Sequence, residues 1–250
     1  MSRTEKLERF RQLHEREGLF LFPNPWDAGS ARILAALGFE ALATTSAGYA
    51  FAAGLRDDIG ALDRNGVIEN ARQIVDATDL PVAADLADGF GEDPAACALT
   101  IERAVAAGLV GGSIEDATAD PSAPIFPLGQ AVERVAAAAE TASKLGFVLT
   151  ARAEEWLYRE SDLDATIERL NAFAAVGADV LYAPGLPSLE AIAQVCELAD
   201  AGVKRISVGG SLARAAYGAL IEGATEILGE GTFGYASRAA SSSEIKRLIG

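Results

Sequence analysis

The sequence predicts an α/β protein built as a (β/α) TIM-type barrel, and three observations carry that expectation. Short apolar runs alternate with segments of helical length and period from Leu19 onward, the pattern of parallel strands joined by right-handed crossovers. Glycine stands between a helical segment and the next apolar run at Gly38, Gly108, Gly146, Gly177 and Gly202, as expected where a helix C-cap turns directly into a strand. Polar residues fall after the strands: Ser46, Asp85 and Asp88, Glu115 and Asp116, Arg152 and Glu154. A barrel gathers all of these at its carboxyl-terminal mouth, where such folds carry their sites.

Taken in order, Thr4 is suited to cap a first helix over about 4–17, with Leu7, Phe10 and Leu13 on one face and Gly18 to end it. Its His14, among charges, reads as a surface histidine. Strands are then expected at Leu19–Phe22, Ala41–Thr44, Val82–Ala84, Val110–Ile114, Phe147–Ala151, Val180–Ala183 and Arg205–Val208. Helices are expected at about Ala28–Leu37, Arg64–Thr78, Pro94–Ala107, Leu128–Leu145, Leu163–Val176, Leu189–Ala201 and Leu212–Ile227. A short terminal helix, Glu244–Leu248, ends a C-terminal helical tail over about 211–250. With no linker or change of composition, one barrel domain over 1–250 is the expected organisation.

Half of the residues are hydrophobic, enough to bury a substantial core. No apolar run approaches the roughly 20 residues of a membrane span, and the charged N-terminus lacks the apolar core of a signal peptide. The expectation is a soluble, cytoplasmic protein. A formal charge of −15 argues against nucleic acid or an anionic membrane as partner. Cys97 and Cys196 lie in Ala-rich apolar stretches and form no metal or disulfide pattern. His14 is the single histidine, so Ser-His and Cys-His nucleophile schemes are excluded.

What remains is acid chemistry at the strand ends. Asp85, Asp88, Glu115 and Asp116 lie at neighbouring strand ends, and like charges so close need a cation or a retained proton. Mg²⁺ held by one or two carboxylates and several waters answers that need; taken alone, Asp85 and Asp88 also suit a solvated turn. Arg152 is either a counter-ion to these acids or a fork for a substrate carboxylate or phosphonate. Thr44–Gly48 reads as a strand-end turn that also offers a hydroxyl and closely spaced N–H groups.

The segments NPWDAGSARI, ATTSAG, ADLADGFG, GGSIEDAT, LTARAE, DVLYAPG and RISVGG, in this order, resemble the isocitrate lyase and phosphoenolpyruvate mutase superfamily over nearly the whole chain. The resemblance implies a phosphoenolpyruvate/pyruvate-type (β/α)₈ barrel in homodimers or homotetramers, often with a terminal helix exchanged between subunits. It implies Mg²⁺, with Mn²⁺ able to substitute, and a small keto acid or dicarboxylate. The chemistry implied is cleavage of a C–C bond beside an α-keto or 2-hydroxy acid through an enolate. The alternatives it carries are P–C hydrolysis or mutation of a phosphonopyruvate-type substrate, and an inactive keto-acid-binding member. By motif, Ser46, Ala47 and Gly48 would hold the substrate's carboxylate and keto region and Arg152 its carboxylate. Asp85 would be the principal metal ligand with Glu115 on the water shell. Of the loop acids Asp57 and Asp58, Asp58 would lie near the reacting group.

The chain also departs from its relatives. Many have DADTGYG where this chain has Asp85-Leu86-Ala87-Asp88-Gly89-Phe90-Gly91, so Asp88 would stand in for an acid replaced by Ala87. The loop Ala117–Pro127 has no Cys, Lys or His, which argues against isocitrate lyase and mutase activity. Only seven strand–helix units are recognisable. The barrel is then expected to close with seven, to stay open between Tyr182 and Arg205, or to use Val195–Leu198 there.

Overall fold

The structure is a computed structural model that describes residues 1–58, 60–159, 163–198 and 203–250. Helix α1 (Arg3–Glu15) precedes β1 (Phe20–Phe22), α2 (Ala28–Ala36), β2 (Leu42–Ala43), α3 (Ser46–Ala52) and α4 (Arg64–Asp76). Then come β3 (Val82–Asp85), α5 (Pro94–Ala106), β4 (Gly111–Glu115), α6 (Leu128–Leu145), β5 (Val148–Arg152), α7 (Glu155–Arg159) and α8 (Leu163–Ala175). The chain continues through β6 (Val180–Tyr182), α9 (Leu189–Leu198), β7 (Arg205–Ser207), α10 (Ser211–Glu230), a 3₁₀ turn at Gly234–Ser237 and α11 (Ser242–Ile249).

All strand pairings are parallel. β2 to β6 form a five-stranded sheet in sequence order, and β1 pairs with β7. The pair is brought against β2 by the Ala43 amide, which donates to the Pro23 carbonyl at 3.0 Å. Asn24, 3% exposed, fastens the corner: its Nδ2 donates to the Thr44 carbonyl, and its Oδ1 accepts from the Ser207 hydroxyl and the Val208 amide. Among the described residues no backbone hydrogen bond joins β6 to β7. Among the described residues the barrel has seven strands and is open at that seam. Val195–Leu198 supplies no strand there and belongs to α9.

The period of two along each strand divides the apolar side chains into two cores. Val82, Ala84, Ile114, Leu149 and Ala151 face the helices, in the layer that also holds Ile74, Ile101, Val135 and Phe173. Ala83, Val110, Val148, Phe20 and Phe22 face inward, where Leu7, Phe10 and Leu13 of α1 plug the lower end. A Cβ on Gly111 would lie 2.9 Å from Phe10 Cε1 and from the Val148 carbonyl, so the plug requires glycine at that point of β4.

Several sequence expectations change in detail. Ser2, not Thr4, caps α1, in a reciprocal box with Glu5. His14 is not a free surface residue: its ring packs edge-on against Phe10 and Phe20. Its Nδ1–H donates to the Phe10 carbonyl at 2.8 Å, which leaves Nε2 facing Arg205 Nη1 at 3.4 Å. Gly38, Gly108, Gly146 and Gly177 have the positive φ that a helix-to-strand turn needs, while Gly202 and the end of the Leu189–Ala201 helix lie outside the described residues. Helices α3 and α7, both short, had no separate periodic signal.

Candidate active site

Lumen-facing residues at the upper strand ends build the site. Glu115 and Arg152 are paired in register as the last residues of β4 and β5, and Asp85 ends β3 beside them. Arg152 Nη1 lies 2.9 Å from Glu115 Oε1 and 3.6 Å from Asp85 Oδ1, and its Nε donates to Glu154 Oε1 at 2.7 Å. The guanidinium also stands 5.3 Å from the centre of the Tyr182 ring. Burial pushes Glu115 well above the ordinary carboxylate range against the pull of Arg152, and it raises Glu154 too. The carboxylates in turn hold Arg152 firmly protonated despite its burial.

Asp85 is fixed from two sides. Its Oδ2 accepts from the Ser46 amide at 3.2 Å and its Oδ1 from the Ala87 amide at 3.3 Å, while its own amide donates to the Thr44 hydroxyl. Ser46 opens α3, which Thr45 caps. The loop then runs through Asp88, whose Oδ1 accepts from the Phe90 amide. Above this floor lies a cavity of about 520 Å³ lined by Ser46, Asp57, Asp58, Asp85, Asp88, Glu115, Arg152, Glu154 and Tyr158, among others.

Thus Ser46, Asp58, Asp85, Asp88, Glu115 and Arg152 all line one cavity. Ala47 and Gly48 do not line it. The Gly48 amide donates to the Thr45 hydroxyl, and a Cβ there would meet Trp26 at 2.8 Å. Asp116 does not join the acid group. As the neighbour of a lumen-facing residue it points the opposite way, 2% exposed, into an ion pair with Arg169 at 3.1 Å and a bond from the Glu154 amide. Burial pushes it up to about 6. The two loop acids also part company. Asp58 pairs with the exposed Arg56 at 2.8 Å, whereas Asp57 is raised by burial and the charge of Asp85, against the opposing pull of the nearby Ser46 hydroxyl.

Among the described residues no three His, Cys, Asp or Glu side chains converge as direct ligands of one ion. The donor chemistry nevertheless suits Mg²⁺, which takes one or two carboxylates and fills its shell with water. Three carboxyl groups crowd the single Arg152 guanidinium, two of them raised by burial, and Asp85 keeps unused acceptor positions. Asp85 would hold the ion, with Glu115 and Asp88 reached through its waters.

Glu154, expected with Arg152 after β5, follows it by two residues and hence shares its face. Sequence reasoning missed two contributors: Tyr182, inside DVLYAPG, and Arg64, which lines the cavity and lies in no local motif. The loop Ala117–Pro127 folds back on itself: Ala117 and Ile125 form an antiparallel bridge, and the Thr118 amide donates to the Pro124 carbonyl at 2.7 Å. This folds the segment into a short hairpin whose Ala119 also lines the cavity.

Residues 10–198 match the phosphoenolpyruvate phosphomutase family. The 2-methylisocitrate lyase of Halalkalibacterium halodurans is 29% identical over 198 residues, 78% of this chain and 65% of that protein, so the chain spans just under two thirds of that relative's length. A crystal structure from Burkholderia cenocepacia J2315, provisionally classed as a lyase or mutase, superposes with a TM-score of 0.94 at 47% identity, covering 99% of this chain and 96% of that one. A phosphonopyruvate hydrolase bound to oxalate and Mg²⁺ shares the fold at TM-score 0.83 and 20% identity, covering 99% and 95%.

Proposed function

The chain belongs to the phosphoenolpyruvate phosphomutase family, and we propose that it is a Mg²⁺-dependent carbon–carbon lyase acting on a small α-keto or 2-hydroxy acid. The observation that carries this reading is the Asp85–Glu115–Arg152–Glu154 group at one barrel mouth. A divalent ion bound at Asp85 would supply Lewis-acid polarisation of the substrate's keto or hydroxyl oxygen.

The chain's own residues do the rest. Arg152 has five N–H donors, and Glu115 and Glu154 occupy only its Nη1 and Nε sides, so the fork retains donors for a substrate carboxylate. Ser46, at the start of α3, holds the opposite edge. Asp57, whose carboxyl is pushed above its ordinary range by burial and by the charge of Asp85, lines the cavity together with Asp58, and proton exchange is assigned to this pair of loop acids. Cleavage leaves the bonding pair on the carbon beside the carbonyl, and Arg152 stabilises the resulting enolate charge. The hairpin after β4 contains no Lys, Cys or His, which favours simple cleavage, such as decarboxylation or retro-aldol release, over phosphoryl migration.

The proposed assembly is a homodimer or homotetramer. Helix α10 exposes Leu220, Ile221 and Leu228, and the outer face of β1 and β7 exposes Leu21 and Ile206; apolar surface of this kind marks interfaces.

The test is turnover with and without Mg²⁺ across oxaloacetate, branched 2-hydroxy diacids, simple keto acids and phosphonopyruvate, comparing the natural chain with Asp85→Asn. Mg²⁺-dependent C–C cleavage lost in the variant supports the reading. Turnover of phosphonopyruvate alone, or no turnover by either protein, overturns it.

A further inference from the structure

Arg134 lies on α6, outside the cavity and 1% exposed, and no step of the proposed reaction uses it. Its guanidinium crosses to the loop after β3, where Nη2 donates to the Asp88 carbonyl and Nη1 to the Gly91 carbonyl. Its flat face rests 4.2 Å from the centre of the Phe126 ring. Among the described residues no carboxylate lies within ion-pair distance of it, and its buried Nε has no hydrogen-bond partner. A buried cation with an idle donor is costlier than an apolar side chain of similar volume. Its companions on that face of α6, Ala131, Val135 and Ala138, are apolar. Stability alone therefore does not explain the residue, and the carbonyls it grips do.

Those carbonyls belong to a strained turn. Ala87 and Phe90 have φ of +46° and +60° on either side of Asp88, conformations that side-chain-bearing residues keep only where the surroundings impose them. Arg64 grips the same turn from α4. Its Nη2 donates to the Phe90 carbonyl at 2.9 Å and its Nε to the Thr100 hydroxyl, which itself donates to the Gly89 carbonyl. Two guanidiniums from different helices thus hold the carbonyls of one six-residue turn.

We propose that Arg134 is a positioning residue: it clamps the loop from Leu86 to Gly91 so that Asp88 stands at the cavity beside Asp85. The consequence for metal binding rests on the reading of Asp85 as a Mg²⁺ ligand; the clamping of the loop does not.

Hydrogen–deuterium exchange of the full chain, followed by Mg²⁺ titration of its thermal stability, tests both parts. The proteins are the natural chain, Arg134→Lys, Arg134→Met and a control on α8, Phe173→Leu, a fully buried position. Exchange over residues 86–91 is expected to quicken at least about 10-fold in both Arg134 variants while β4 and β5 stay protected. The half-saturating Mg²⁺ concentration is expected to rise about 10–100-fold, as when an outer partner of a metal ligand is lost. Phe173→Leu should change neither. Unchanged exchange at 86–91, or the same change in Phe173→Leu, overturns the clamp; faster loop exchange with an unmoved Mg²⁺ midpoint in a responsive protein overturns its consequence for metal binding. Faster loop exchange in a chain that never responds to Mg²⁺ supports the clamp and overturns the metal reading. If Arg134→Met does not fold, the same outcomes are read from Arg134→Lys, which keeps the charge but loses the two-pronged grip.

Discussion

Arg152 is the residue on which the site turns, because three carboxylates share its one guanidinium. Replacing it with Lys keeps the charge and loses the fork that spans Glu115 and Glu154. The expected result is a fall of about 10²–10³ in kcat/KM, the scale of losing an oriented oxyanion donor, with far-ultraviolet circular dichroism unchanged. His14 makes a separate, pH-dependent contribution. Burial pushes its pKa below the usual 6.5 and Arg205 opposes its protonation. Between the folded and unfolded pKa values the unfolded chain binds more protons, so this contribution is present above pH 6.5 and lost as pH falls through the folded value. Urea midpoints measured from pH 7.5 to 5 should show a steeper acid decline in the natural chain than in His14→Gln. Equal slopes would show that His14 is not the titrating group. Both residues were visible in the sequence, but only Arg152 could be placed, because it ends an apolar strand run. The burial of His14 depends on Arg205 of β7, far from it in the chain, as well as on the nearby Phe10 and Phe20.

At the scale of the element, α1 acts as the barrel's plug, and its fit can be read from one pair. Gly111→Ala would drive a methyl against Phe10 and the Val148 carbonyl. A loss of about 1–3 kcal/mol is expected, as for other overpacked cores. Phe10→Ala should cost about 3–5 kcal/mol by leaving a cavity among Phe20, Phe22 and Val148. Chemical denaturation measures both, and in the double variant the losses should be less than additive because the two sites touch. Strand positions were legible to within a residue or two, since the strands are short apolar runs, most of them preceded by a glycine and several followed by polar or charged residues. Helices α3 and α7 were not legible. They are 7 and 5 residues long, too short for a 3.6-residue period to declare itself, and α3 is held by its Thr45 cap and its link to Asp85.

For the whole molecule, the exposed apolar surfaces make a quantitative demand. Leu228 is 88% exposed and Ile221 66% on α10, while Leu21 is 53% exposed on β1. Sedimentation equilibrium is expected to find a dimer or tetramer, and Ile221→Asp with Leu228→Asp should shift it to the monomer. A monomeric natural chain would remove the assembly from the proposal. The α/β barrel class and the polar residues at its strand ends follow from the sequence alone, because alternation, glycine punctuation and polar residues after strands are local signals. Tertiary structure alone decided which acids meet. Glu115 and Asp116 are neighbours in sequence, yet the first faces Arg152 and the cavity and the second faces Arg169. Asp57 and Asp58 divide likewise, between Ser46 and Arg56. The reason is geometric: a carboxylate's role depends on the group its side chain faces, and for Glu115 and Asp116 that partner comes from a strand or helix far along the chain.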